Sequence, residues 1–205
     1  MAEKLDLKKK LKELYTASAT PVFVTIPPLR ILSVDGVGDP NTSQAFQQAV
    51  EALFSVAYKL KFSAKKELGR DYAVMPLEGL WWAADMARFS VERKEGWQWK
   101  IFIVQPEFIT ETMVTAAVEV VRKTKPSPML GQLKSEELAE GLCAQVLHVG
   151  PFASEGPTIA RLHEFIKASG SSFDGTVQKH HEIYLSDMRR TPAEKLRTIL
   201  RQPVA

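Results

Sequence analysis

The sequence predicts an α+β fold of two halves, each with a helix between strands, together placing a long antiparallel sheet under two helices. Three observations lead there. Several short runs alternate apolar and polar residues and end in Gly, Pro, Asn or Asp, as strands do. Longer stretches repeat their apolar residues at the helical period. The order after residue 28 is strand, helix, strands, then strand, helix, strand. The halves do not align as sequence repeats, so duplication is an expectation about structure alone.

Taken in order, residues 3–15 read as a short amphipathic helix with Leu5, Leu11 and Leu14 as its stripe. "PVFVTIPP" (Pro21–Pro28) is β-rich, and its prolines confine it to an edge or extended arm. "LRILSVDGVGDPN" is a strand running into a Gly-Asp-Pro-Asn turn. A long helix over 43–62 follows, capped by Thr42 or Ser43, with Phe46, Ala49, Val50, Leu53, Phe54, Ala57 and Leu60 on one face. "DYAVMPLEGLWWAAD" and "GWQWKIFIVQP" read as strands, and 110–124 as a second helix with Arg122 and Lys123 near its end. "KPSPMLGQLKSEELAEG" reads as a polar connection with a helical turn, and "LCAQVLHVGPF" as a strand. "GPTIARLHEFIKASG" is a helix opened by Pro157 and closed by Gly170. "KHHEIYLSDM" is a strand, and "TPAEKLRTIL" is read as a last short helix. The expected division is an N-terminal helix and extended arm over 1–28 and one domain over 29–205.

The chain has 205 residues and a formal net charge of +3, from 27 Lys and Arg against 24 Asp and Glu. So small an excess does not indicate direct nucleic-acid binding. Cys143 is the single cysteine, which excludes an intrachain disulfide and fits a reducing compartment. No apolar run spans a bilayer, and "MAEKLDLKKKLKELY" lacks the apolar core of a signal peptide, so a cytoplasmic location with no membrane partner is expected.

Glu182 sits inside the alternation of "HHEIYLSD". On a strand it shares a face with Tyr184 and Ser186, while His181, Ile183 and Leu185 point the other way. Three readings are open: a solvated carboxylate, a partner of Arg189 or a nearby lysine, or a partly buried base or counter-ion in an aromatic pocket. The sequence alone favours the first. The four tryptophans lie between positions 81 and 99. Trp81 and Trp82 face opposite sides of a strand, whereas Trp97 and Trp99 share one. They either fill the core or form a flat wall for a planar ligand. An antiparallel sheet with one uncovered, concave, aromatic-lined face is a natural pocket, and Glu182 and Tyr184 would point into it. His148, ending a strand in "HVGPF", is a pocket base, a donor, or a structural histidine. His180 and His181 face opposite ways on a regular strand and cannot share an ion, so no metal is expected. "DGVGDP" lacks the spacing of a dinucleotide fingerprint, so no cofactor is expected either.

Four segments, "PLRILSVDGVGDPN", "DYAVMPLEGLWW", "LHVGPFASEGPTIARLHEFI" and "HHEIYLSDMRRTPAEKLRTILR", resemble stand-alone GyrI-like small-molecule-binding proteins. The resemblance runs in order from about residue 5 to about 202. It implies a pseudo-twofold pair of β-α-β-β modules with helices on one face and a concave ligand cleft, similar to the effector-binding domains of multidrug-sensing transcription factors. The first twenty residues are too short for a helix-turn-helix. Members of the stand-alone group include hydrolases of cyclopropanoid genotoxins, planar alkylators with a strained cyclopropane fused to a dienone. The resemblance therefore implies ring opening by water. It places the family's acidic residue on Glu182 and its stacking tryptophans on Trp81 and Trp82. Where the family often has Tyr after "HxGP", this chain has Phe152, and Met188 replaces a usual Pro. On this reading Glu182 and Tyr184 are catalytic, and Trp81, Trp82, Trp99, Tyr72, His148 and Phe152 bind the ligand. Tyr184 or Tyr72, and more weakly His148, supplies the donor to the dienone oxygen. The alternative is a non-catalytic module that sequesters or senses lipophilic, often cationic, aromatics. The expected partner is a small aromatic or lipophilic molecule, bound by a monomer or weak homodimer.

Overall fold

The computed structural model describes residues 4–83, 94 and 96–205. Its strands are β1 (Val22–Ile26), β2 (Leu29–Val37), β3 (Glu78–Ala83), β4 (Trp97–Val104), β5 (Lys134–Leu138), β6 (Gly141–Val149), β7 (His180–Tyr184) and β8 (Arg197–Pro203). The helices are α1 (Leu7–Lys10), α2 (Gln44–Leu68), α3 (Glu111–Thr124) and α4 (Gly156–Ala168). All eight strands form one antiparallel sheet in the order β1-β6-β8-β7-β3-β4-β2-β5, curled into a half-barrel.

That order contains the pseudo-twofold. β2-α2-β3-β4 and β6-α4-β7-β8 are two β-α-β-β modules, and their second strands, β3 and β7, meet at the centre with Gly79 opposite Glu182 and Trp81 opposite His180. The strand preceding each module crosses to the other one. β1 pairs with β6, and β5 pairs with β2. The segment before residue 29 is thus tied into the sheet, and Leu7, Leu14 and Tyr15 are buried in the main core.

Local signals set the helix ends. Ser43 Oγ accepts the Phe46 N–H at 3.2 Å, and α2 stops at Gly69, whose φ of 65° is the left-handed conformation glycine adopts without strain. Thr110 Oγ1 accepts the Met113 N–H at 3.3 Å to start α3. One face of the sheet carries the helices. Leu32, Val34, Ile101 and Ile103 pack in one core with Leu53, Val56 and Leu60 of α2, and α3 lies against α2. On the other half, Leu162 and Ile166 of α4 close over Ala144, Val146 and Leu200. Each such fully buried aliphatic side chain contributes about 1.5–3 kcal/mol.

Three local expectations fail. "TPAEKLRTIL" is a single 3-10 turn, Ala193–Lys195, followed by β8. Its residues from Thr198 to Pro203 are all buried between β6 and β7, and pairing on both sides overrides the helical period of Leu196, Ile199 and Leu200. "KSEEL" is edge strand β5 rather than a connection; its charged side chains are what a solvent-facing sheet edge carries. The N-terminal helix is one turn, Leu7–Lys10, and then tightens into a 3-10 turn over Lys12–Leu14.

Candidate functional site

The two helix layers leave a gap above the junction of β3 and β7. There lies a cleft of about 210 Å³ whose lining includes Trp81, Trp97, Phe46, Phe152, Glu155, His180, Glu182 and Tyr184. The first module supplies the apolar wall. Phe46 and Trp97 flank Trp81, with ring centroids 5.9 and 5.7 Å away. Gly79 makes room for that indole, since a Cβ there would sit 2.9 Å from its nitrogen. The second module supplies the polar groups. His180, Glu182 and Tyr184 alternate along one face of β7, and Glu155 enters from the N-terminus of α4.

These groups are linked. Trp81 Nε1–H donates to the Tyr184 hydroxyl at 3.1 Å, and that hydroxyl donates to Glu182 Oε2 at 2.7 Å. Burial first, then the Glu182 carboxylate, push the Tyr184 pKa well above its usual 10.0. Tyr184 therefore stays protonated and holds Glu182 in place. Phe152 meets the Tyr184 ring edge-on at 5.6 Å.

Glu155 is the N-cap residue of α4, yet its side chain caps nothing. Its carboxyl turns into the cleft, 5% of the residue is exposed, and Oε1 has no hydrogen-bond partner among the described residues. Burial, and then the Glu182 charge, push its pKa up to about 9 against the pull of Lys94. At neutral pH the cleft thus holds a protonated carboxyl beside Glu182, a pairing suited to acid–base work.

Of the residues singled out from sequence, the cleft gathers Glu182, Tyr184, Trp81 and Phe152. The other four lie elsewhere. Trp82 is on the opposite sheet face, with its indole N–H donating to Gln98 Oε1 at 2.7 Å and Lys179 over its ring at 4.5 Å. Trp99 shares the face of Trp81 but lies beneath Phe46, 1% exposed, packed on Gly36, where any Cβ would clash with the ring at 2.2 Å. Tyr72 is buried near Phe108, its hydroxyl donating to Gln105 Oε1 at 3.4 Å. His148 is buried behind the cleft, where Nδ1 meets Thr158 Oγ1 at 3.1 Å and Nε2 meets the Pro151 carbonyl at 3.3 Å. It fixes the turn that carries Phe152 and Glu155. Sequence reasoning passed over Glu155, weighed His180 only as a metal ligand, and took Trp97 only as one of four tryptophans of a possible wall. The first two had legible signals: a Glu where a helix usually has a Ser or Thr cap, and a His two residues from Glu182 on the same strand face.

The opposite face of β7 carries a second carboxylate cluster. His181 Nε2 lies 3.0 Å from Glu78 Oε2 and Nδ1 lies 3.0 Å from Glu140 Oε2. Tyr15 donates to Glu78 Oε1 at 2.8 Å, and Arg201 Nη1 lies 3.9 Å from Glu140. Burial opposes a charge on His181, but Glu140 and Glu78 together raise its pKa above the usual 6.5. Among the described residues no group of three or more His, Cys, Asp or Glu is arranged to hold a metal ion. No described helix is long and apolar enough to cross a membrane.

No curated protein matches the chain. Among solved structures, an uncharacterized conserved protein from Listeria innocua is 39% identical, covers 98% of this chain and 100% of its own, and superposes with a TM-score of 0.92. A hydrolase from Listeria innocua, also 39% identical, covers 99% of this chain and 100% of its own with a TM-score of 0.90. The EcmrR C-terminal domain, at 12% identity, shares the fold over 91% of this chain and 97% of its own, with a TM-score of 0.56. The model of the GyrI-like small molecule binding domain matches residues 19–205, and with relatives this similar over their whole length the chain belongs to that family.

Proposed function

We propose that the chain binds planar, mainly apolar molecules in this cleft and hydrolyses those carrying a strained cyclopropane conjugated to a dienone, or similar alkylating aromatics. The observation that carries the reading is the Glu182 carboxylate, held by Tyr184 against an aromatic wall beside the protonated Glu155. The Listeria relatives described as hydrolases support it.

The aromatic wall stacks on the planar ligand. Glu182 takes a proton from water, and the water oxygen bonds to the cyclopropane methylene. The ring C–C bond breaks, and its electron pair passes through the dienone to the oxygen. The Glu155 carboxyl protonates the resulting phenolate, and the proton on Glu182 passes to Glu155 to restore the site. The product is the substrate plus one water. The residue roles differ from the sequence expectation at one point: the Tyr184 O–H is committed to Glu182, which leaves Glu155 as the acid. The reaction calls on no cofactor, nucleic acid or membrane and fits detoxification in the cytoplasm.

The test is incubation with spiro[2.5]octa-4,7-dien-6-one, with 2-(4-hydroxyphenyl)ethanol followed by mass spectrometry. Catalytic water addition above the buffer rate, abolished in Glu182→Gln, is expected. A stable one-to-one complex without water addition overturns the hydrolase reading. That outcome supports the second reading, a non-catalytic binder of aromatic cations, which draws on the same rings and carboxylates.

A further inference from the structure

His180 is 5% exposed and lines the cleft, and its Nε2 is a buried polar atom with no hydrogen-bond partner among the described residues. Glu182 Oε1 lies 3.4 Å from it without forming a hydrogen bond. A polar atom left bare in a buried site costs stability unless something else meets it. What that something is follows from the other side of the ring.

His180 Nδ1 lies 3.2 Å from Gln202 Nε2, which also lies 2.9 Å from His163 Nε2 on α4. An amide NH2 has two hydrogens and no free lone pair, so both imidazole nitrogens accept from it. With Nδ1 accepting, the His180 ring carries its hydrogen on Nε2, at the cleft. His163 stays an acceptor because burial, and then His180, lower its pKa below the usual 6.5. Gln202 is 1% exposed and sits on β8, between the two histidines, its Oε1 turned away from both and unpartnered among the described residues, so the tautomer follows from the amide presenting its NH2 to the two rings.

We propose that His180 is an oxygen-binding donor of the cleft, its Nε2–H meeting a carbonyl or phenolate oxygen of the ligand. This rests on the reading of the cleft as the ligand site and narrows its substrates to molecules whose strained bond is conjugated to an oxygen acceptor. In the ring-opening step His180 holds the oxygen on which negative charge collects, and Glu155 then delivers its proton there. Among polar groups the ligand's oxygen meets two donors, while Glu182 faces the attacking water.

Two measurements on the full chain test it. Binding of 2-acetylnaphthalene, a planar ketone that only accepts hydrogen bonds, is compared with that of its hydrocarbon counterpart 2-isopropylnaphthalene by quenching of tryptophan fluorescence. The wild type is expected to prefer the ketone. His180→Leu is expected to lose about tenfold for the ketone and less than about twofold for the hydrocarbon, and His180→Gln, which keeps an N–H donor, to restore most of the loss. Equal loss for both probes, or none, overturns the proposal. A nitrogen-15 spectrum of the wild type supplies a check independent of any variant: the Nε2–H tautomer is expected at His180, and the Nδ1–H tautomer overturns the proposal. Wild-type binding of both probes with equal affinity sinks the role of His180 alone. Binding of neither overturns the ligand-site reading and the proposal with it.

Discussion

His180 and His181 are neighbours on one strand and belong to opposite electrostatic worlds. Behind the sheet, His181 sits between Glu78 and Glu140, with Tyr15 and Arg201 completing a closed network in which each carboxylate has a donor. In front of it, Glu155 and Glu182 share the cleft with one tyrosine hydroxyl and no described cation as deeply buried as Arg201, and two polar atoms of the residues that line it, Glu155 Oε1 and His180 Nε2, have no hydrogen-bond partner among the described residues. Both clusters bury carboxylates, which costs several kcal/mol per charge unless it is compensated. One is compensated internally. The other keeps a carboxyl protonated and leaves atoms open, and such unmet groups in a cleft are where a ligand completes the structure. The contrast separates a closed network from an open one, although residue composition alone does not.

The sharpest way to probe the contrast is to neutralise one carboxylate in front. Glu182→Gln keeps the shape and the contact with Tyr184 but removes the base. The expected fall in the rate of water addition is about 10²–10⁴-fold, with ligand affinity for neutral aromatics held within a few-fold. A rate reduced less than about threefold in single-turnover kinetics would remove Glu182 from the chemistry.

Behind the sheet, His181→Leu removes the central imidazole and leaves Glu78 with Tyr15 and Glu140 with Arg201 alone. Unfolding in urea is expected to show a loss of about 3–5 kcal/mol, the usual cost of breaking a buried pair from one side. The wild-type contribution is pH-dependent. His181 has a pKa raised above 6.5, so this contribution is full below pH 6.5 and fades as the pH climbs through the raised value. A variant as stable as the wild type would mean that the closed network is not what holds this face together.

Much of the architecture was legible because it rests on local chemistry. Ser43 and Thr110 cap helices as such residues do, and turn residues punctuate the strands of both modules. The alternation that put Glu182 and Tyr184 on one face held, since a period of two needs no knowledge of partners. What was missed depends on register between distant strands. Nothing local says that Trp81 stands opposite His180, or that Gly36 lets Trp99 sink into the core while Trp97 stays at the cleft. β8 was misread for the same reason, because its burial comes from strand partners outside its own run, β7 on one side and β6 on the other, where Gln145 stands beside Arg201. Glu155 carried a signal in its place at a helix start, but not its direction, since a carboxylate there normally faces the backbone N–H groups.

Glu155→Gln separates the two clusters by pH. The folded protein holds a proton on Glu155 up to about pH 9, whereas the unfolded chain releases it near 4.5. Burying this carboxyl therefore costs stability that grows as the pH rises from about 4.5 to about 9. Gln mimics the protonated form, so the variant's melting temperature is expected to fall less steeply over that window, with the two curves meeting below pH 4.5. Parallel curves would mean that Glu155 is ionised at neutral pH and is not the acid. His181→Leu flattens only the part of the profile above pH 6.5, so the two slopes can be told apart.

The smallest expected effect comes from the paired tryptophans, which compare the two faces directly. Trp81→Phe removes the N–H that orients Tyr184 and part of the cleft wall, and the Kd for a planar aromatic should rise about tenfold. Trp82→Phe breaks only the hydrogen bond to Gln98 and the contact with Lys179 on the opposite face, and the Kd should move less than about twofold. Both indoles sit on the same strand one residue apart, so helix content, expression and bulk hydrophobicity are matched between the variants. What differs is the face. If Trp82→Phe weakened binding as much as Trp81→Phe, the ligand would be reaching the groove beside Lys100 and Glu140 instead. The carboxylates behind the sheet would then be the ones that meet it.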